Sequence, residues 1–129
     1  MPRRRDRRWL VDGMNVVGSR PDGWWRDREG AKRALTERLA AFARATGEPV
    51  TVVFDGRAFE VDAAPVEVDF ATRRGPDAAD DEIARRVAAD DDPGTLAVVT
   101  SDRGLAERVR GHGVEVVAAC GFRRRLDAL

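Results

Sequence analysis

The 129-residue chain has one cysteine, one histidine, no tyrosine and one lysine. A single Cys120 excludes an internal disulfide and a multi-cysteine zinc site. The lone His112 lies in the turn-like run Arg-Gly-His-Gly, so it reads as a solvated loop residue, and a Ser-His-Asp triad has no histidine to use. No apolar run approaches membrane-spanning length. The Arg-rich start leads into no long apolar stretch with a cleavage site, so a chain without a signal peptide, working in the cytoplasm, is expected. Formal net charge is zero, yet unevenly spread: residues 1–57 carry a balance of +5 and residues 58–129 a balance of −5. Such asymmetry allows a basic surface for a polyanion beside an acidic pocket for a cation.

What is present is an alternation of apolar runs and helical stripes. Residues 2–8 form a basic arm, expected to be flexible. A single domain is expected over 9–129, which is long enough for a substantial core. Strands are predicted at 8–12, 51–54, 66–70, 96–100 and 114–118, the third alternating as a half-exposed edge strand does. Helices are predicted over 27–45, 77–89, 103–110 and in the tail from Phe122. In the first of these Leu35, Leu39 and Phe42 recur at helical spacing with Ala31 and Ala34 on the same side. The loop 18–26 holds Trp24 and Trp25, one expected on the core and the other able to stack on a base, with core packing or a lid the expected role of both. Asp90-Asp91-Asp92-Pro93-Gly94 reads as a solvated acidic turn. The pattern predicts an α/β/α three-layer fold with a mainly parallel five-stranded sheet.

In such sheets ligands bind off the carboxyl ends of the strands. Three predicted strands end there in an acid: Trp-Leu-Val-Asp12, Val-Val-Phe-Asp55 and Val-Thr-Ser-Asp102. Asp12 could equally cap the segment that follows it, and Gly13 lets the backbone turn sharply or approach a ligand. A fourth acid joins from a helix. At about 100° per residue, Ile83, Ala84, Val87 and Ala88 form an apolar stripe with Asp80 near its middle, Asp81 on its border and Glu82 opposite. An acid serving only the helix dipole has no need to face the sheet. Two carboxylates about 4 Å apart repel by roughly 4 kcal/mol at an effective dielectric near 20, so such a crevice calls for protons or a cation. All-oxygen donors without His or Cys favour a hard ion, Mg²⁺ or Mn²⁺, and that ion beside a phosphate implies metal-assisted phosphoryl chemistry.

Other phosphate-handling patterns are missing. There is no G-x-x-x-x-G-K-S/T and no G-x-G-x-x-G. Asp12 is followed by Gly13 and Met14, not by the Asp-x-Asp of haloacid-dehalogenase-like phosphatases, and Lys32 lies in the first long helix, not after a late strand as in a receiver domain. Val11-Asp12-Gly13-Met14-Asn15-Val16, Phe54-Asp55-Gly56, Ala79-Asp80-Asp81-Glu82-Ile83 and Thr100-Ser101-Asp102 together resemble the NYN domain of the PIN-like nuclease superfamily, and within it the YacP-like bacterial ribonucleases. The resemblance spans about residues 9 to 120. It implies strand order 3-2-1-4-5 and Mg²⁺- or Mn²⁺-dependent RNA cleavage, with ribosome-associated mRNA as the substrate of some YacP-like members. It casts Asp12, Asp80 and Asp102 as metal ligands and Asn15 as the polar residue orienting water or phosphate. Asp55 becomes a ligand or its immediate support, with Thr100 and Ser101 supporting the acids or bonding a phosphate. Arg57, Arg73, Arg74 and Arg103 flank the expected site as phosphate contacts. The leading expectation is a divalent-metal-dependent endoribonuclease. A non-catalytic RNA- or ribosome-binding module stays open beside it, as does, more remotely, a phosphatase or nucleotide hydrolase. Monomer and weak homodimer are both open.

Overall fold

A computed structural model describes residues 7–71 and 77–129. Its centre is a parallel sheet of five strands: β1 (Arg8–Asp12), β2 (Val50–Asp55), β3 (Glu67–Ala71), β4 (Leu96–Val99) and β5 (Glu115–Val117). Their order is β3-β2-β1-β4-β5, every pair parallel, so β1 lies in the middle with β2 and β4 beside it. Five helices cover the faces: α1 (Gly13–Val17), α2 (Arg28–Thr46), α3 (Ala78–Ala89), α4 (Arg103–Arg110) and α5 (Ala119–Asp127). The strand order and the three layers agree with the sequence reading.

Strand parity divides the core in two. Trp9, Val11, Val50, Val52, Phe54, Ala97 and Val99 face α1, α2 and α5 and pack on Leu35, Leu39, Phe42, Phe122 and Leu126. Leu10, Val53, Leu96 and Val98 point the other way, onto Ile83 and Val87 of α3 and Leu105 and Val109 of α4. Because side chains alternate along a strand, the next residues of that second set, Asp12, Asp55 and Thr100, fall toward the α3–α4 layer just where the strands end. Parity thus selects which helices can contribute to a site with them.

Several local features depart from the sequence expectations. Residues 13–17 form a short helix, a segment to which the sequence assigned no element. Gly13 serves a protein contact: a Cβ there would meet two Phe54 ring carbons at 2.4 Å. On α2 the buried face includes Lys32 and Thr36, while Ala34 is exposed. Ala88 of α3 is likewise exposed. The closing helix starts at Ala119, three residues before the predicted start. Trp24 packs on the core and Trp25 stays 50 % exposed, edge-on to it at 6.1 Å. Nor is the acidic turn wholly solvated. Arg8 clasps Asp90 through two bonds of 2.8 and 2.9 Å and also reaches Thr95 Oγ1 and the Asp92 carbonyl. Residues 1–6 of the basic arm lie outside the described residues, but Arg7, paired with Glu115, and Arg8 are both engaged. At the β3 edge, Arg86 of α3 bonds Asp69 at 2.8 Å and Glu67 at 3.3 Å. Glu82 holds Arg85 and Arg86, and Arg85's hydrogen bonds draw its carboxyl down to about 2.

Candidate active site at the carboxyl edge of the sheet

Asp12 is 5 % exposed at the end of the central strand. It occupies the N-cap position of α1 and feels the Asn15 amide of that helix, so a capping role stands beside the site role. Its Oδ2 accepts from Thr100 Oγ1 at 2.9 Å. Thr100, 2 % exposed, also accepts from the Asp102 amide at 3.1 Å. One hydroxyl therefore joins the ends of β1 and β4. Burial pushes the Asp12 carboxyl up to about 6. The Thr100 bond and the Asn15 amide oppose that rise, and the charges of Asp80 and Asp55 add to it.

Asp80 sits in the first turn of α3, half-buried. Burial raises its carboxyl to about 6 as well, followed by the charges of Asp102, Asp77 and Asp55, with Arg108 the opposing cation. Asp80, near the middle of the apolar stripe of α3, is the α3 acid whose charge reaches Asp12. Asp55 is anchored, its Oδ1 accepting from the Ala79 amide at 3.0 Å. Asp102 is anchored too, capping α4 through Oδ1 on the Leu105 amide at 3.0 Å. Asn15 Oδ1 accepts from the Ser101 amide at 2.8 Å, and Ser101 Oγ accepts from the Ala119 amide at 2.9 Å. The two hydroxyl residues are thus the stitching between strand ends and helices.

The four acids share one electrostatic field, but they do not all converge on one point. Among the described residues no group of three or more His, Cys, Asp or Glu side chains stands close enough to hold a metal ion. Asp102 acts on Asp80, while the acids that raise Asp12 are Asp80 and Asp55. The donor chemistry still fits a hard cation. Mg²⁺ is ordinarily held by one or two carboxylates, with waters and a phosphate completing its shell, and Asp12 with Asp80 is a pair of mutually repelling carboxylates of that kind. No cation appears among the causes that set the Asp12 carboxyl.

Of the flanking arginines, Arg73 and Arg74 lie outside the described residues. Arg57 and Arg103 are exposed. Arg103 lines a cleft of about 550 Å³ together with Thr100, Ser101, Asp102 and Arg110. Two participants escaped the sequence reading. Arg108 pairs with Asp81 at 2.9 Å and tempers Asp80. Lys32, 8 % exposed, reaches the Asp55 carbonyl at 2.6 Å. Its signal was available, since the sole lysine of an arginine-rich chain lies at helical spacing from Leu35, Thr36 and Leu39.

The family model of the YacP-like NYN domain matches residues 9–129. The chain belongs to the YacP-like NYN family. Two crystal structures of Rae1 (YacP) from Bacillus subtilis superpose on it. One, of a Trp-to-Leu mutant, has a TM-score of 0.78 and 28 % identity, covering 95 % of this chain and 76 % of that one. The other has a TM-score of 0.74 and 27 % identity, covering 94 % and 74 %. UPF0178 proteins from two strains of Xanthomonas campestris pv. campestris are 37 % identical over 97 residues, covering 75 % of this chain and 57 % of theirs. The NYN chain therefore spans little more than half the length of those curated relatives. Membership places it among PIN-like nuclease domains, which generally use divalent metals. No helix among the described residues is long and apolar enough to cross a membrane.

Proposed function

We propose that this NYN protein is a divalent-metal-dependent endoribonuclease cutting single-stranded RNA at the Asp12–Asp80 edge, with Mg²⁺ or Mn²⁺ as its ion. The observation that carries the reading is the pairing of two carboxyls, both raised to about 6 and both at the sheet's carboxyl edge, without a compensating base at Asp12. Above that pH the pair is doubly anionic and draws a cation. A bound divalent ion supplies an activated water and stabilises the leaving oxygen.

The protein's own part is positioning. Thr100 fixes the Asp12 carboxylate by donating to Oδ2. Asn15, held through Oδ1, keeps two Nδ2 donors for a phosphate oxygen or water. Asp102, joined to Thr100 through its amide, is the third acid of the site and adds negative charge beside Asp80. Asp55 supports Asp80 from below. Arg57 and Arg103 serve as backbone phosphate contacts, with Arg73 and Arg74 in the same role and Ser101 as a phosphate hydroxyl. Arg3, Arg4 and Arg5 of the basic arm add sequence-independent attraction for RNA, and residues 9–129 form the catalytic domain. Ribosome-bound mRNA is one substrate this reading admits.

The test is cleavage of a labelled single-stranded oligoribonucleotide in Mn²⁺ and in chelator. Asp12→Asn and Asp80→Asn should each lower the rate by at least ~10²-fold, the scale on which an activating group counts. RNA binding in chelator with no cleavage in Mn²⁺ supports the non-catalytic module instead. Release of phosphate from mononucleotides with intact oligomers supports the phosphatase.

A further inference from the structure

Lys32 meets the site only through the Asp55 carbonyl, yet it is the chain's sole lysine and almost wholly buried. An ammonium out of water is costly unless it is partnered. Its partner is a backbone oxygen at the one point where β2 ends. Nζ donates to the Asp55 carbonyl at 2.6 Å and lies 5.8 Å from the Phe54 ring centre. A Cβ at Gly56 would sit 3.3 Å from Nζ, and Gly56 has a φ of +96°, so the chain leaves β2 in a conformation and with a clearance that glycine supplies.

Asp55 is thereby held from both layers of the fold. From the α2 side Lys32 grips its carbonyl. On the α3 side its carboxylate accepts from Ala79, the residue directly before Asp80. The Ala79 amide belongs to the first turn of α3, where backbone donors have no intrahelical acceptor. What holds that turn at this edge is the Asp55 carboxylate.

We propose that Lys32 is a positioning residue that sets the distance between Asp80 and Asp12. It acts through Asp55: the ammonium locks the end of β2, the Asp55 carboxylate then meets the α3 amide, and Asp80 is carried over the end of β1. The effect on the divalent ion is indirect, as when a group behind a ligand is removed, which typically lowers metal affinity about 10–100-fold. This inference rests on the metal-site reading above.

The test uses the full chain with Lys32→Met, Asp55→Ala and the double variant, with Lys32→Gln standing in should the methionine variant not fold. Amide exchange followed by NMR reads the contact itself: the Ala79 amide should lose protection in Lys32→Met, while Val87 at the far end of α3 keeps it. Binding of Mn²⁺ without RNA, followed by EPR, should weaken about tenfold or more. The double variant should bind Mn²⁺ no more weakly than Asp55→Ala alone, because the two residues act in series. Unchanged Ala79 exchange, or additive losses in the double variant, overturns the role of Lys32. Should the unmodified protein neither bind Mn²⁺ nor cut RNA, the metal-site reading falls and this inference with it. Binding and cutting by the unmodified protein with equal values in Lys32→Met overturns the inference alone.

Discussion

Replacing Asp12 by asparagine should stop cleavage and at the same time stabilise the fold, by an amount that depends on pH. Folding raises the Asp12 carboxyl from 3.8 to about 6, chiefly through burial. At roughly 1.4 kcal/mol per pKa unit, holding that group ionised in the native state costs about 3 kcal/mol. The sign follows from proton counting. Between about pH 4 and pH 6 the native protein keeps a proton that the unfolded chain has released, so its stability falls as pH rises through that window and levels off above it. Asparagine retains an acceptor oxygen for Thr100 and carries no charge. Urea unfolding should therefore show Asp12→Asn ahead by about 2–3 kcal/mol at pH 8 and level with the parent near pH 4. Saturating Mn²⁺ should close the gap from the other side: an ion at a hundred times its dissociation constant adds about 2.7 kcal/mol to the parent and far less to the variant. An asparagine variant less stable than its parent at pH 8, or a difference that does not change with pH, would refute the argument that Asp12 is an uncompensated buried charge.

Other outcomes follow from the same contacts. Cleavage and Mn²⁺ affinity should rise as pH climbs through about 6, where both Asp12 and Asp80 ionise, and flatten above 7, as a pH–rate profile would show. Thr100→Val removes both the donor to Asp12 and the acceptor for the Asp102 amide, so unfolding should report a loss of about 1–3 kcal/mol and the activity profile should shift to higher pH. Gly13→Ala drives a methyl into the Phe54 ring, and calorimetry should find a loss on the order of 1–3 kcal/mol. Trp25→Ala, at an exposed ring, should alter stability by no more than about 0.5 kcal/mol.

The candidate site was legible where a single side chain violated the pattern around it. Asp12 and Asp55 each interrupt an apolar run at the point where a strand must end, Asp102 follows the polar pair that closes β4, and Asp80 lies on the apolar side of an otherwise ordinary amphipathic helix. Strand order came from family likeness, since parity and periodicity say nothing about which strands are neighbours. The spacing of Lys32 from Leu35 and Leu39 placed it on the buried face of α2, but its partner was hidden, because a lysine on a surface helix normally reaches for water and only the end of β2 shows why this one does not. Arg8 was concealed by its company, one arginine in a run of five across residues 3–8, distinguished by an acidic turn more than eighty residues away. That Asp55 would be occupied at the amino end of α3 was equally unreadable, because it depends on how α3 sits above the sheet.

The outermost strands are guarded in different ways. β5 offers three residues for pairing, and β3 has its acidic side chains pinned by Arg86 across the helix behind it. An incoming strand from another molecule meets a run too short to hold it at one border and a charged, braced one at the other. Removing Arg86 frees two carboxylates and loosens that border, so self-association that grows with protein concentration should first become visible in such a variant.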